Sequence, residues 1–216
     1  MVENGIGVDN IDVAAAEEHG IYVCNVPDYG IDEVSNHAIA LLLDCAKKLT
    51  YLAGQVKQGN CSYTIVKPLF RMEGKTLGLM GFGRIPRLVA KKVAGFGVKM
   101  IAYDPMMNEA QARELGVTPV SFDQLLRESD YLSVHCPLTA DTHHLFNEAA
   151  FRAMKPTAIF INTARGGVVK EEDLIRALEQ GEIAMAGIDV TETEPIPVGH
   201  PLLKLDNAVV TPHAAW

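Results

Sequence analysis

The sequence predicts an α/β fold in which helices cover both faces of one parallel β-sheet. Three observations carry this prediction. From Thr76 to the end of the chain, short apolar or β-branched runs alternate with helical patterns. The runs are apolar at successive positions, as strands are when helices lie on both sides of the sheet. A glycine pair follows the first of these strands directly, as expected for a strand that turns sharply into a helix.

The first 70 residues have a different pattern. Residues 21–25 are predicted as a short strand, and residues 27–30, Pro-Asp-Tyr-Gly, as a turn. One long helix is predicted from Asp32 to about Gln58, with Asp32 as its cap and Gly59 at its end. Such a helix is about 40 Å long at a rise of about 1.5 Å per residue. It could bridge two domains or form a subunit contact.

The remaining elements alternate in order along the chain. Strands are predicted at residues 76–80, 98–103, 131–135, 158–162, 184–190 and 208–211. Helices are predicted at residues 84–96, 109–115, 122–128, 148–154 and 171–180. Because each helix connects two parallel strands, the pattern predicts a doubly wound sheet.

The stretch LGLMGFGRIP carries the first functional pattern. Gly81 permits a tight turn, Gly83 lets a pyrophosphate approach the backbone, and the following helix N-terminus offers free N–H groups to an anion. Asp104 lies about 20 residues further on, where a carboxylate accepts hydrogen bonds from a ribose 2′-hydroxyl and repels a 2′-phosphate. The pattern therefore predicts a Rossmann-type domain that binds NAD in preference to NADP.

Pro86 departs from this pattern, because a third glycine is expected there. Proline has no N–H, but in the first turn of a helix that donor has no partner within the helix. We therefore expect a shifted helix start and weaker cofactor binding, but not its loss. The alternative is an ordinary glycine turn with a solvent-exposed aspartate.

Other polar residues follow strands that end at the same edge of the predicted sheet. Arg165, in INTARGG, can hold a carboxylate with two hydrogen bonds. His213, in TPHAAW, can exchange a proton with a hydroxyl or carbonyl oxygen near neutral pH. A neighbouring carboxylate would orient this imidazole. Glu192 and Glu194, in GIDVTETEP, both lie within reach by sequence, and spacing alone does not choose between them.

Composition limits the class of partner. The 216 residues carry a formal net charge of -8 and no long run of lysine or arginine, which disfavours nucleic acid and membrane surfaces. The longest apolar run is too short to span a bilayer. The four cysteines show no CxxC spacing, so neither a metal site nor a disulfide framework is predicted, and a cytoplasmic location is expected.

Six motifs, in order and spread over the whole chain, give the sequence a resemblance to a known family. They are GVDNIDVAAAEEHGIYVCNVP, GKTLGLMGFGRI, INTARGGVV, GIDVTETEP, HPLLKLDN and TPHAAW. Together they resemble the D-isomer-specific 2-hydroxyacid dehydrogenases, a family that also includes the C-terminal-binding-protein corepressors. The resemblance implies an NAD-dependent oxidoreductase that transfers a hydride between nicotinamide and a small-molecule D-2-hydroxy acid or 2-oxo acid.

The resemblance also implies a role for each matching residue. Arg165 would clamp the substrate carboxylate, His213 would donate or accept the proton, and Glu194 would hold the protonated imidazole. The expected cofactor-binding residues are Gly81, Gly83, Arg84 and Ile85 at the pyrophosphate, Asp104 at the ribose, His135, Cys136 and Pro137 beside the adenine, and Thr163, Ala164 and Asp189 at the nicotinamide. The expected substrate-binding residues are Ile6, Gly7 and Trp216, although Trp216 could instead be a buried aromatic without a substrate contact.

Family members are longer than this chain, and their substrate domain is built mainly from the N-terminal part. The resemblance therefore implies that residues 1–33 are a remnant of the substrate domain, that residues 34–216 form the NAD-binding domain, and that the chain is truncated. The exposed apolar surface of such a remnant, together with the long helix, makes a homodimer the expected assembly. His37, on that helix, is expected to serve packing or a subunit contact.

Two other functions stay open. One is an NAD-responsive interaction protein, as in the corepressor branch. Such a sensor needs none of Arg165, Glu194 and His213, so the presence of all three favours the enzyme. The other is a truncated product that binds nothing well, which is suggested by Pro86 and by the missing part of the substrate domain.

Overall fold

The computed structural model describes residues 1–3, 5, 7–8, 11–66, 69 and 71–216. Its centre is a seven-stranded parallel sheet in the spatial order β3-β2-β1-β4-β5-β6-β7. The strands are β1 (Thr76–Met80), β2 (Lys99–Tyr103), β3 (Val117–Pro119), β4 (Tyr131–Val134), β5 (Ile159–Asn162), β6 (Met185–Ile188) and β7 (Ala208–Val210). This strand order defines the Rossmann-type fold that the sequence predicts.

Helices cover both faces of the sheet. They are α1 (Val13–Glu18), α2 (Ile31–Lys47), α3 (Leu49–Lys57), α4 (Arg84–Val93), α5 (Glu109–Glu114), α6 (Phe122–Glu128), α7 (Glu148–Ala153) and α8 (Glu171–Gln180), with short 3-10 helices at Tyr63–Val66, Ala94–Phe96, Gly166–Val168 and Pro201–Lys204. One apolar core gathers side chains of α2, α4 and α5, and the other those of α6, α7 and α8. All four residues of β4, β5 and β6 are buried between these layers, which explains their continuous apolar sequences.

Polar side chains define where several helices begin. Asn108 Oδ1 accepts a hydrogen bond from the backbone N–H of Gln111 at 3.1 Å at the start of α5. Ser121 Oγ does the same for Gln124 at 3.2 Å at the start of α6. Such caps satisfy N–H groups that have no partner within the helix, and they are readable in the sequence. The predicted helix starts at residues 84, 109, 122, 148 and 171 all match the structure.

The prediction of one helix over residues 32–58 is wrong. α2 ends at Lys47, and Lys48 adopts a left-handed conformation with φ 54° and ψ 41° before α3 begins. Asp44 stabilises the break, because its carboxylate accepts hydrogen bonds from the backbone N–H of Thr50 at 2.8 Å and from the Thr50 hydroxyl at 2.6 Å. Local side-chain bonds of this kind have no apolar periodicity, so the sequence pattern does not reveal them.

The start of α2 also differs from the prediction. Its N-cap residue is Gly30, in a left-handed conformation with φ 72°, and not Asp32. Asp32 lies in the first turn, where its Oδ1 accepts a hydrogen bond from Lys92 Nζ of α4 at 2.6 Å. The same ammonium donates to Ser35 Oγ at 2.7 Å and to Asn36 Oδ1 at 2.6 Å. One lysine therefore ties the first turn of α2 to α4.

Other local predictions differ from the structure as well. Residues 21–25 form no strand, and Cys24 makes only an isolated parallel bridge with Val2. The short elements α1 and β3 are absent from the prediction. Pro86 does not shift the helix start: α4 begins directly after Gly83 and buries Pro86 in its first turn.

Across the described ranges, no helix combines the length and the apolarity that crossing a membrane requires.

We expect Gly187→Ala to lower the free energy of unfolding by about 1–3 kcal/mol, because it overpacks the contact between β6 and α2. A Cβ at Gly187 would lie 3.1 Å from Leu41 Cβ and 3.2 Å from Cys45 Sγ, both on α2. Gly95→Ala is the matched control, since nothing lies within 4 Å of a Cβ at that position. Urea denaturation compares the two, and equal stability would contradict this account of the packing.

Candidate active site

A cleft of about 1190 Å³ opens at the carboxyl edge of the sheet. Ligands of such sheets bind at this edge, where the strand order reverses between β1 and β4. The predicted site residues that line the cleft are Gly7, Ile85, His135, Cys136, Pro137, Thr163, Ala164, Arg165, Glu194, His213 and Trp216. The loops that follow β1, β4, β5, β6 and β7 therefore contribute to one cavity. Ile6 lies outside the described residues.

The glycine turn after β1 has the geometry that an anion site needs. Gly81 has φ 91°, and a Cβ there would come within 3.0 Å of the backbone N of Cys136. At Gly83, nothing lies within 4 Å of the position of a Cβ, so open space faces the backbone just before α4. The first glycine lets the chain turn beside the loop after β4, and the second leaves room for a pyrophosphate at the helix N-terminus.

Asp104 lies beside this turn, at the end of β2. Its Oδ2 accepts a hydrogen bond from the backbone N–H of Phe82 at 2.7 Å, and its Oδ1 accepts one from Met106 at 2.8 Å. The carboxylate therefore shapes the turn. Each oxygen has a second lone pair, so both retain capacity for a ribose hydroxyl.

Arg84, the first residue of α4, reaches back to the start of the chain. Its Nη1 donates to the carbonyl oxygen of Pro27 at 3.2 Å and forms an ion pair with Asp28. Both side chains of the ion pair are largely exposed, so solvent screens the interaction. A guanidinium at this place is available to a phosphate group that enters the turn.

The wall after β4 is uncharged. Burial lowers the pKa of His135 to about 3, and its Nε2 lies 2.9 Å from Ser133 Oγ. Burial likewise raises the pKa of the Cys136 thiol to about 11. Both side chains are therefore neutral at physiological pH, as suits a wall that contacts an aromatic base.

Asn162, which the sequence analysis did not single out, shapes the loop that carries Arg165. Its Oδ1 accepts a hydrogen bond from the backbone N–H of Ala164 at 3.0 Å, and its Nδ2 donates to the carbonyl oxygen of Arg165 at 3.0 Å. Its only sequence signal is a polar residue at the end of a buried strand. Beside it, the buried hydroxyl of Thr163 has no hydrogen-bond partner among the described residues.

His213 and Glu194 form a hydrogen-bonded pair on the cleft wall. His213 Nδ1 lies 2.6 Å from Glu194 Oε2, and the other carboxylate oxygen accepts a bond from the backbone N–H of Thr191 at 3.1 Å. Glu192 instead pairs with His144. The geometry thus chooses Glu194 over Glu192 as the partner of His213, a choice that spacing left open.

Asp189 differs from the other predicted cofactor residues. Its side chain is fully buried, and its carboxylate accepts hydrogen bonds from the backbone N–H groups of Ala214 and Ala215, both at 2.9 Å, and from the Thr211 hydroxyl. The carboxylate thus faces the segment that carries His213. The expected contact of Asp189 with the nicotinamide carboxamide stays a prediction.

Trp216 packs on the start of α2. Its ring centroid lies 5.5 Å from that of Tyr29, and a Cβ at Gly30 would come within 2.8 Å of its Cδ1. The ring lines the cleft and remains largely exposed.

Among the described residues, no group of three or more His, Cys, Asp or Glu side chains could hold a metal ion.

This fold and this edge define a nucleotide-binding domain, and comparison with known proteins gives its class. The profile of the D-isomer specific 2-hydroxyacid dehydrogenase NAD binding domain matches residues 39–215. The chain therefore belongs to the D-isomer-specific 2-hydroxyacid dehydrogenase family and contains its NAD-binding domain, as the sequence predicts.

Individual proteins support this assignment. The chain is 42% identical over 218 residues to a glyoxylate reductase of Korarchaeum cryptofilum, covering 100% of this chain and 66% of that protein. It is 43% identical to a hydroxypyruvate reductase of Thermotoga maritima, covering 97% and 68%. A D-lactate dehydrogenase of Aquifex aeolicus, solved with NAD and lactic acid, superposes with a TM-score of 0.88 at 35% identity, covering 100% and 69%. The chain spans about two thirds of the length of these two curated reductases. It spans only 40% of the length of a D-3-phosphoglycerate dehydrogenase of Archaeoglobus fulgidus.

Two observations indicate that NAD fits this chain. Open space faces Gly83 at the N-terminus of α4, where a pyrophosphate needs close approach to the backbone. At the other end of the site, the Thr163 hydroxyl is buried without a partner in the described part of the chain, so it can hydrogen-bond a polar group of the cofactor. His135 and Cys136, which form the neutral wall of the cleft, lie between Gly83 and Thr163 in the sequence.

Proposed function

We propose that the protein that contains this chain reduces a small 2-oxo acid to the D-2-hydroxy acid with NADH, and catalyses the reverse oxidation. One observation carries the proposal: Arg165 and the hydrogen-bonded pair of His213 and Glu194 line the same cleft at the cofactor edge. A guanidinium, an imidazole and a supporting carboxylate are the groups that recognise and protonate a 2-oxo acid.

Arg165 holds the substrate carboxylate through its planar fork of N–H donors and polarises the neighbouring carbonyl. Bound NADH supplies the hydride that the carbonyl carbon accepts. His213 gives its proton to the carbonyl oxygen in reduction and takes the hydroxyl proton in oxidation. Glu194, 2.6 Å from Nδ1, stabilises the imidazolium and leaves the other ring nitrogen for the substrate.

The proposed cofactor contacts come from the chain segments that follow β1, β2, β4, β5 and β6. Gly81, Gly83, Arg84 and Ile85 bind the pyrophosphate, and Asp104 binds the adenosine ribose. His135, Cys136 and Pro137 lie beside the adenine, while Thr163, Ala164 and Asp189 lie at the nicotinamide. Support comes from the open space at Gly83 and from the free lone pairs of Asp104.

We also propose that residues 1–33 belong to the substrate domain and residues 34–216 to the NAD-binding domain. The loop of Ile6 and Gly7 would offer backbone N–H groups to the substrate carboxylate, with Trp216 as a further wall. Gly5, Gly7 and Trp216 line the cleft, which supports this arrangement.

A cytoplasmic location fits the four cysteines, all of which are free thiols.

The relatives reported above are reductases and dehydrogenases, and none of them supports the corepressor-like alternative. A panel of glyoxylate, hydroxypyruvate and pyruvate, assayed with NADH and the natural protein, tests the proposed reaction. NADH oxidation with at least one acid is expected. No oxidation with any acid of the panel, despite saturable NADH binding, would overturn the enzymatic function and favour an NAD-responsive sensor. No saturable NADH signal would favour a chain that binds nothing.

His213→Ala should lower kcat by about 10²–10⁴-fold, because general acid–base catalysis is lost. The affinity for NADH, measured by fluorescence titration, should change little, since the imidazole is proposed to contact only the substrate. His19→Ala is the matched control, because His19 is an exposed histidine at the end of α1 that does not line the cleft. A parallel loss of NADH affinity and turnover would mean that His213 is structural.

Asp104→Asn should weaken the preference for NADH over NADPH, because it removes the charge that repels a 2′-phosphate. The amide oxygen can still accept the bond from Phe82, but the amide NH2 replaces the acceptor of Met106, so the glycine turn should persist with one bond fewer. Asp104→Ala removes both bonds and should also lower the affinity for NADH. Titrations with both cofactors measure the effect. Equal NADH and NADPH affinities in the unmutated protein would refute this role of Asp104.

We further propose a homodimer in which α3 contributes to the contact. This helix buries none of its residues, and Leu49 and Val56 are 56% and 55% exposed. Replacing both by lysine should convert the dimer to a monomer, because two unpaired charges would face the apolar contact. Light scattering after size exclusion measures the mass, with the fully exposed Val198→Lys as control. A monomeric unmutated protein would contradict the proposal.

A further inference from the structure

One buried carboxylate holds the segment that carries His213. Asp189 accepts two backbone N–H bonds from residues 214 and 215 and one from the Thr211 hydroxyl, while its own carbonyl oxygen accepts the backbone N–H of His213 at 2.8 Å. His213 has φ 50°, a left-handed conformation that residues with a side chain rarely adopt. Such a backbone persists only where its surroundings over-determine it.

His37 is a fourth partner in this arrangement, and it comes from a different element. Its ring lies on α2, and its Nε2 is 3.0 Å from Thr211 Oγ1 and 3.3 Å from Asp189 Oδ1. The ring is 23% exposed, whereas the Asp189 side chain is fully buried. The Thr211 hydroxyl donates to Asp189 Oδ1, so the Thr211 oxygen accepts a hydrogen bond from His37 Nε2, which is the contact that α2 contributes to this arrangement.

α2 contacts the same segment at a second point, through Trp216 on Gly30. α2 itself is tied to the cofactor helix α4 by Lys92 and packed on β6 at Gly187. The position of His37 relative to β6 is therefore fixed from two sides. A group on this helix can hold the segment of residues 211–216 in a defined place against the sheet.

We propose that His37 is a positioning residue for the acid–base histidine. Through Thr211 and Asp189, it fixes the segment that presents His213 to Glu194 and to the cleft. This inference rests on the proposed function for the role of His213, but the anchoring itself does not require any reaction. It replaces the packing or subunit contact that the sequence suggested for His37.

Three variants of His37 test the proposal. In His37→Leu the donor is lost, and in His37→Asn the side chain is polar but too short to reach Thr211 and Asp189. His37→Gln keeps an amide N–H close to the position of Nε2. His19→Leu is the matched control, because His19 is exposed and its ring hydrogen-bonds the backbone of its own helix at Ala15. Steady-state kinetics and NADH titration on the natural protein give one readout.

The second readout needs no activity. Trp216 is the only tryptophan of the 216-residue chain and belongs to the anchored segment. Acrylamide quenching of its fluorescence should therefore rise when the segment is released, at temperatures well below unfolding. A purely global loss of stability would lower the melting temperature without changing quenching of the folded protein.

We expect His37→Leu and His37→Asn to lose about tenfold or more in kcat, because a small displacement of a catalytic group is costly. KM for the acid and the affinity for NADH should change less than about twofold, since the cofactor loops are not displaced. Quenching should increase in both variants, and His37→Gln should restore kcat and quenching.

Three results would be decisive against the idea. The idea is overturned if His37→Asn has the same kcat and the same quenching as the unmutated protein. It is also overturned if kcat of His37→Gln is as low as that of His37→Leu. Kinetic loss without any change in quenching would also overturn it. If the unmutated protein reduces no 2-oxo acid but quenching responds as expected, the anchoring stands and the proposed reaction falls.

Discussion

The parallel direction of all seven strands is the constraint on which the site depends. Parallel strands release their chains at the same edge, so loops that are more than 100 residues apart in sequence meet there. The reversal of strand order between β1 and β4 then keeps the loops on the two sides from closing over that edge. No short stretch of sequence has to contain the glycine turn, Arg165 and His213 together. Each has only to follow its own strand, and the sheet brings the three groups together.

A buried charge imposes the second level of order. Asp189 has no exposed side-chain surface, and an unpaired carboxylate in that environment would be costly. Its acceptors are satisfied by Thr211, Ala214 and Ala215 of the chain that follows β7, so the cost of burial favours a single path for the C-terminal segment. Glu194 is held in a comparable way by the backbone N–H of Thr191. Thr191 thus helps to place Glu194 on the cleft wall, as Asp189 helps to place the segment of His213.

The sequence predicts the sheet and most helices because strands buried on both faces and capped helices leave strong periodic and polar signals. The predicted element at residues 122–128 and that at residues 171–180 agree with the structure at both ends. The failures occur where a single side chain overrides the pattern. Asp44 breaks a helix whose apolar periodicity continues, and Lys92 replaces Asp32 as the group that secures the start of α2. Site residues at strand ends could be read from the sequence, whereas contacts between distant elements, such as His144 with Glu192, could not.

The neutral wall after β4 has a consequence for the redox chemistry of the chain. A thiol with a pKa of about 11 is ionised in only about one molecule in ten thousand at pH 7, and the thiolate is the form that oxidants and alkylating reagents attack. Cys136 can therefore line the cleft without making the cleft vulnerable to peroxide. Cys24 and Cys61, which are exposed, are the thiols that such reagents meet first. A thiol-specific dye should therefore label Cys24 and Cys61 at the surface and leave Cys136 in the cleft unlabelled.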